Sequence, residues 1–313
     1  MKDSVLDQIC DQFGCKESEI KLLGGYHNNV WEINCGRPIV IKLLDQSPGI
    51  IETIRSEVEW MEYLLENGFR VAKPVRFNEK HEVKEISEHH ILIAFEKLPG
   101  FHVSVENKEL WNNDLFNKWG QVMGKMHSLA TAYKPINQRP QWFKHPLFNK
   151  EICSLEPALL KRWKKYQAGF RHLSVSEGTF GLIHGDLHHQ NLLYQEGEIS
   201  IIDFGDSEYH WFAYDIAIAI YHSAQTMKKG KVRMEFAKRF FHSFMDGYFK
   251  ENSNIEIVSQ IDQFINYRHL FSYVYHWEFS GNHPFTESQR NYLEEMRLSL
   301  LNEDSYLGLS LVE

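Results

Sequence analysis

The stretch LIHGDLHHQNLLYQEGEISIIDFGDSE, from Leu182 to Glu208, holds three histidines, three aspartates and an asparagine between strand-like apolar runs. Side chains this polar are costly to bury, so a chain that hangs them between buried strands presents a site at its loops. Asp186 and Asn191 stand five residues apart, and Asp203 follows twelve later, with LLY and ISII supplying the strands between. A strand–loop–strand hairpin of this kind can present an aspartate as base and an asparagine as magnesium ligand. A second aspartate just past the next strand completes the cation site, as in phosphoryl transfer. Magnesium takes hard oxygen ligands and needs few from the protein, because nucleotide phosphates supply others.

A histidine-rich metal centre competes with this arrangement. His184, Asp186, His188 and His189 could ligate a cation, and with Gly281–His283 they loosely resemble a metallophosphoesterase pattern. Such a site needs a further acid after the middle block and histidines beyond the last one. Tyr209 stands where that acid would be, Pro284 follows His283, and no histidine comes later. Phosphoryl transfer therefore fits better.

Upstream residues support it. Lys42 interrupts the apolar strand IVIKLL and points the same way as Val40 and Leu44. A lysine there is costly without an anionic partner, and Glu57, fifteen residues on, lies on a helix from which it can meet Lys42 across the sheet. Gly24 and Gly25, in GGYHNNVWEI, allow backbone amides to approach phosphates closely.

The rest of the chain sets the frame. At 313 residues it is long enough for two lobes, each with a core. Hydrophobic content of 43% and charged content of 24% are those of an ordinary globular protein. A net charge of −8 argues against a nucleic-acid partner. From Glu251 to Glu313 ten acids face three bases, a local balance of −7, so nearly all of that charge sits in the last fifth. Four cysteines (Cys10, Cys15, Cys35, Cys153) form no C-x-x-C pair, which fits a reducing compartment. The start MKDSVLDQIC lacks a signal-peptide core, and no run approaches the roughly 18 apolar residues of a membrane span. A cytoplasmic monomer or homodimer, without membrane or nucleic acid, is expected.

Hydrophobic spacing predicts a helix over 4–13, strands in EIKLLGG, NNVWEIN and PIVIKLL, a helix over 50–68, and strands over 83–88 and 90–96. After the breaker KLPG the character changes. Helices are expected over 106–132, 148–172, 211–227, 231–249, 255–278 and 285–301, with strands only beside the 182–208 block. The division is a nucleotide-binding lobe over 1–97 and a catalytic, substrate-binding lobe over 98–313.

LLGGYHNNVWEI, IVIKLL, RSEVEWMEYLLENG, FEKLPG, MGKMHSL, LIHGDLHHQNLLY, IIDFGDSE and YDIAIAI, in that order over residues 20 to about 220, resemble the aminoglycoside phosphotransferase and choline kinase-like family. The resemblance implies an α+β, protein-kinase-like bilobal fold with a small antiparallel-sheet N-terminal lobe and a larger, mainly helical C-terminal lobe. ATP and Mg2+ are the implied cofactors. Asp186 would be base or orienter of the acceptor hydroxyl, and Asn191 and Asp203 would hold magnesium. Lys42 would contact nucleotide phosphates and be fixed by Glu57. Asn28 matches the polar position of the phosphate loop, and the backbone from Glu96 to Leu98 matches the hinge that reads adenine. Asp215 matches an acid that braces the catalytic loop, and His127 and His184 are structural supports. His188 and His189 carry no assignment.

Two departures separate the chain from protein kinases. Asp215 follows Asp203 by only twelve positions, too short a link for an activation segment, and Gly185 precedes Asp186 where an arginine would pair with an activating phosphate. The expectation is an ATP- and magnesium-dependent kinase of a small-molecule hydroxyl, with an amine-bearing acceptor such as an aminoglycoside, amino alcohol or choline-like metabolite. A Ser/Thr protein kinase of the same fold and a nucleotide-binding pseudokinase are the alternatives. The acidic C-terminal region and the aromatic stretch Ile265–Phe279 hint at a cationic acceptor, with Asp262 and Glu278 as candidate contacts. Aromatics at this spacing also pack a helical core, which is the simpler expectation.

Overall fold

The computed structural model describes residues 3–25, 28–77, 81–152, 155–279, 285–302 and 305–312. Cys153, His283 and Pro284 lie outside the described residues. Backbone contacts divide the chain into two compact units. The first comprises Met1–Phe101, Tyr133–Arg139 and Leu192–Gly205, and the second His102–Ala132, Pro140–Asn191 and Asp206–Glu313.

The elements follow in chain order as α1 (Asp3–Phe13), β1 (Ile20–Gly24), β2 (Val30–Ile33), β3 (Ile39–Asp45), α2 (Ile50–Glu66), β4 (Pro74–Val75), β5 (Val83–Ser87), β6 (His90–Glu96) and β7 (Phe101–His102). Then come α3 (Asn113–Ala132), α4 (Pro146–Asn149), α5 (Pro157–Arg171), β8 (Phe180–Ile183), β9 (Leu192–Gln195), β10 (Glu198–Ile201) and β11 (Glu208–Trp211). The chain closes with α6 (Phe212–Gln225), α7 (Lys231–Tyr248), α8 (Ile261–Phe279) and α9 (Glu287–Leu301).

In the first unit the sheet runs β1–β2–β3–β6–β4, with β5 also on β6 and every pair antiparallel. Strand alternation divides its apolar residues between two layers. Ile33, Ile41, Leu92 and Ala94 pack with Val5 and Ile9 of α1, while Ile91 and Ile93 pack with Ile54 and Val58 of α2. Lys42 lies opposite Val30 and Ile93, so its register puts it on the α2 side. The β9–β10 hairpin belongs to the same unit. Its turn residues Glu196 and Gly197 both have positive φ, 51° and 89°, which suits the right-handed twist of a two-residue hairpin. The Ile201 amide donates to the Arg70 carbonyl at 2.9 Å and anchors the hairpin.

The second unit is helical around a two-stranded ribbon, β8 with β11. Helix α6 is buried at nearly every position from Phe212 to Ala224, as its largely apolar sequence requires. Helices α3 and α7 approach so closely that a Cβ on Gly120 would come within 1.9 Å of the Phe244 carbonyl oxygen. A Cβ on Gly247 would meet the Asn117 carbonyl oxygen at the same distance.

Three helix starts differ from the expected spans. Helix α3 begins at Asn113, because the Asn112 side chain accepts from the Asp114 and Leu115 amides and caps it there. Helix α5 begins at Pro157, whose fixed φ suits a first helical position. A 3-10 turn over Ile255–Gln260 precedes α8, so that span is not one continuous helix.

Candidate active site

The second unit builds a braced loop directly after β8. Asp215, in the first turn of α6, is fully buried. Its Oδ2 accepts from the His184 amide at 3.0 Å and its Oδ1 from the Gly185 amide at 3.1 Å. The His127 ring lies between partners, Nε2 at 3.2 Å from Asp215 Oδ2 and Nδ1 at 2.9 Å from the Tyr248 hydroxyl. Burial lowers the His127 pKa against the opposing pull of Asp215, and burial raises that of Tyr248. The assignment that satisfies all three groups has neutral His127 donating from Nε2 to the carboxylate and accepting from Tyr248 at Nδ1. Gly185 has φ 84°, and a Cβ there would sit 2.3 Å from the Asp206 carbonyl oxygen. Only glycine fits this position.

The brace holds Asp186. Its amide donates to His184 Nδ1 at 3.3 Å, and its carbonyl accepts from the Asn191 side-chain amide at 2.9 Å. Both carboxylate oxygens are engaged, Oδ1 with Arg268 Nη2 at 2.9 Å and Oδ2 with His188 Nε2 at 3.2 Å. Burial works to raise the Asp186 carboxyl pKa, but the His188 hydrogen bond and the Arg268 charge outweigh it and hold the group well below the usual carboxylate range. Arg268, from α8, also contacts His222 Nε2 at 3.0 Å and the Tyr214 hydroxyl at 3.4 Å. Burial, then Arg268, keeps the His222 pKa well below its ordinary value.

The first unit supplies a second group of side chains. Lys42 Nζ lies 2.8 Å from Asp203 Oδ1, although 161 positions separate them in the chain. Asp203 has φ 64°, an uncommon conformation for a residue with a side chain, and it is half exposed. The turn after it is clamped by Arg139, which is 3% exposed. Arg139 Nη2 donates to the Phe204 and Gly205 carbonyls at 3.3 and 2.6 Å, and Nη1 donates to the Thr53 carbonyl of α2 at 3.0 Å. Glu57 is buried on α2.

The glycine turn also belongs to this unit. Gly24, Gly25 and Asn28 have φ of 127°, 86° and 52°, and the Asn28 amide donates to the Gly25 carbonyl. A Cβ at Gly25 would lie 2.7 Å from Asn29 Oδ1. Asn29 is stitched to β3 beside Lys42, its side-chain amide donating to the Leu43 carbonyl and its carbonyl accepting from the Leu43 amide, both at 2.9 Å. At the end of β6, the amides of Glu96 and Lys97 donate to the Lys73 and Pro38 carbonyls, and Leu98 follows half-buried.

Sequence reasoning missed Arg268, His222 and Arg139 and left His188 without a role. One signal was present for Arg268: a single cation inside an aromatic helix needs a partner. The two acids named as acceptor contacts are engaged inside the chain. Asp262 accepts from Ser310 Oγ at 2.6 Å and from the Leu311 amide, and Glu278 pairs with Lys150 at 2.7 Å. Much of the aromatic stretch is core, since Tyr267, Leu270, Tyr273 and Val274 are all buried.

The sequence model of the phosphotransferase enzyme family matches residues 19–251. Over 284 residues the chain is 27% identical to amicoumacin kinase of Bacillus subtilis (strain 168), covering 87% of this chain and 84% of that one. Its structure is similar to that of amicoumacin kinase hAmiN in complex with AMP-PNP, Ca2+ and Ami, with a TM-score of 0.84, 26% identity, and coverage of 96% and 93%. It shares the fold of a microcompartment-associated aminopropanol kinase, with a TM-score of 0.75, 18% identity, and coverage of 99% of each chain.

Proposed function

The chain belongs to the phosphotransferase enzyme family, and on that premise we propose which of its residues carry ATP-dependent phosphoryl transfer to a small-molecule hydroxyl. Asp186 accepts the hydroxyl proton or orients the hydroxyl, and Asn191 and Asp203 hold Mg2+. Lys42 contacts the nucleotide phosphates and is fixed by Glu57. The amides around Gly24, Gly25 and Asn28 approach the phosphates, and the backbone of Glu96–Leu98 reads adenine. His127, His184 and Asp215 hold the catalytic loop in place.

The observation that carries the reading is the approach of Lys42 to Asp203, which brings a phosphate-binding cation and a metal-binding acid to one place. The donor set suits magnesium. The Asn191 amide nitrogen is committed to the Asp186 carbonyl, which leaves its side-chain oxygen as the ligating atom. Asp203 offers a half-exposed carboxylate. Magnesium, when bound, neutralises charge on the transferred phosphoryl group. The relative of known structure binds a non-hydrolysable nucleotide and a divalent cation, which agrees with ATP and Mg2+. The short link from Asp203 to α6 favours a small-molecule acceptor over a protein. It is filled by a turn over Phe204–Asp206 and by β11, which pairs with β8. The amicoumacin and aminopropanol kinases are consistent with an amine-bearing acceptor. A cytoplasmic monomer or homodimer completes the proposal, and among the described residues no helix is long and apolar enough to cross a membrane.

Calorimetric titration of ATP with and without magnesium tests the assignment. Asp203→Ala should weaken magnesium-dependent ATP binding by about tenfold or more, since a charged ligand is lost without a substitute. It should leave magnesium-free binding nearly unchanged. Equal affinity of both proteins for Mg-ATP would contradict the assignment.

A further inference from the structure

We infer that Arg268 reads the acceptor: beside the Asp186 carboxylate, its guanidinium binds a carbonyl or carboxylate oxygen on the carbon next to the hydroxyl that is phosphorylated. The inference rests on the proposed role of Asp186.

Four observations in the second unit carry it. Arg268 stands in the middle of α8 with its side chain 12% exposed, and only an anionic or oxygen-bearing partner offsets the burial of a guanidinium. It contacts Asp186 directly, so whatever presents a hydroxyl to Asp186 meets Arg268 as well. Its donors are not used up. Nη2 serves Asp186 Oδ1 and His222 Nε2, Nη1 reaches the Tyr214 hydroxyl at a long 3.4 Å, and Nε is buried with no partner among the described residues. Finally, the fork is held in place. The His222 ring is fixed by Gln225 at 3.0 Å, and the guanidinium lies 5.5 Å from the Phe271 ring centroid.

A planar fork with spare donors next to a carboxylate suits a two-point acceptor. The acceptor's hydroxyl donates to Asp186, and its neighbouring oxygen accepts from Arg268. An ammonium on that neighbouring carbon would instead meet a cation. An amine can therefore sit elsewhere on the acceptor, but the reacting end carries an oxygen. Replacement of that carbonyl by a methylene would leave a buried donor without a partner, the situation in which sites discriminate most sharply.

The test uses two isosteric pairs, lactamide against 1-amino-2-propanol and glycolamide against ethanolamine. In each pair a carbonyl replaces a methylene beside the hydroxyl. Saturation-transfer NMR on the full chain with magnesium and AMP-PNP reads binding without turnover, and assays with Mg-ATP read transfer. The carbonyl member should show the stronger signal and, where phosphate is transferred, a kcat/KM about tenfold or more higher. Arg268→Gln should remove the preference by raising KM for the carbonyl member and leave KM for ATP unchanged. Arg268→Lys, which keeps a charge beside Asp186 without the fork, covers the case in which the glutamine variant fails to fold and should also lose the preference. Equal signals within each pair, no signal from either member, or a preference surviving in both variants overturns the inference. An equal fall in kcat for both members would show that Arg268 only positions Asp186, and overturns it too. Failure of the phosphotransferase reading looks different, since no hydroxyl of any class would then take phosphate from ATP.

Discussion

Asp215 shows how one buried carboxylate organises a loop. It takes hydrogen bonds from the amides of His184 and Gly185 and from the His127 ring, and each donor is buried. Asp215→Ala leaves three buried donors without a partner, at about 1–3 kcal/mol each. Urea unfolding should therefore show a loss of at least about 3 kcal/mol, and a loss under about 1 kcal/mol would contradict the bracing role. The sequence made Asp186, Asn191 and Asp203 legible as candidates because their spacing follows from strands and tight loops, and Lys42 because a lysine inside an apolar strand needs an anionic partner. Arg268 and Arg139 were not legible as site residues. Their partners lie 82 and 65 positions away, and only the folded chain brings them together. Gly185 was legible as a departure from protein kinases, but its steric reason, the Asp206 carbonyl, was not.

At the scale of elements, Arg139 couples the turn after Asp203 to the first turns of α2, the helix that carries Glu57. Asp203 keeps its positive φ in a turn fixed by these bonds, since such conformations persist where surroundings over-determine them. Arg139→Gln removes charge-assisted bonds worth about 1.5–3 kcal/mol. The magnesium concentration for half-maximal activity should rise about tenfold or more, with KM for the acceptor nearly unchanged. An unaltered magnesium requirement would show that the clamp does not act on Asp203. Strand positions in the first unit were readable because alternation of apolar residues survives in β3 and β6 on both faces of the sheet. Helix starts were less readable, because a cap such as Asn112 or a proline such as Pro157 overrides the apolar period that continues through it. Strand β11 falls beside the 182–208 block, where a strand is expected, but its pairing with β8 emerges only in the folded chain.

For the whole molecule, buried histidines set the response to acid. Burial pushes His127 down and His210 well below the ordinary value, and it takes His269 down to about 3. Each stays neutral in the folded chain while the unfolded chain takes up a proton below pH ~6.5. Their stabilisation is therefore complete above that pH and falls as pH drops, by about 1.4 kcal/mol per pH unit for each histidine until its folded value is reached. Urea midpoints should fall steadily from pH 7 to pH 5, and a flat or rising profile would contradict the burial of these rings as neutral groups. The central claim, transfer of phosphate from ATP to a small-molecule hydroxyl through Asp186, is tested most directly by phosphorus NMR of ATP, magnesium and a panel of amino alcohols, hydroxy amides, sugars and aminoglycosides. A new phosphomonoester signal should grow with at least one acceptor and slow by about a hundredfold or more in Asp186→Asn. ATP consumed with no acceptor-dependent phosphomonoester, or an Asp186→Asn protein as fast as the parent, would contradict the account.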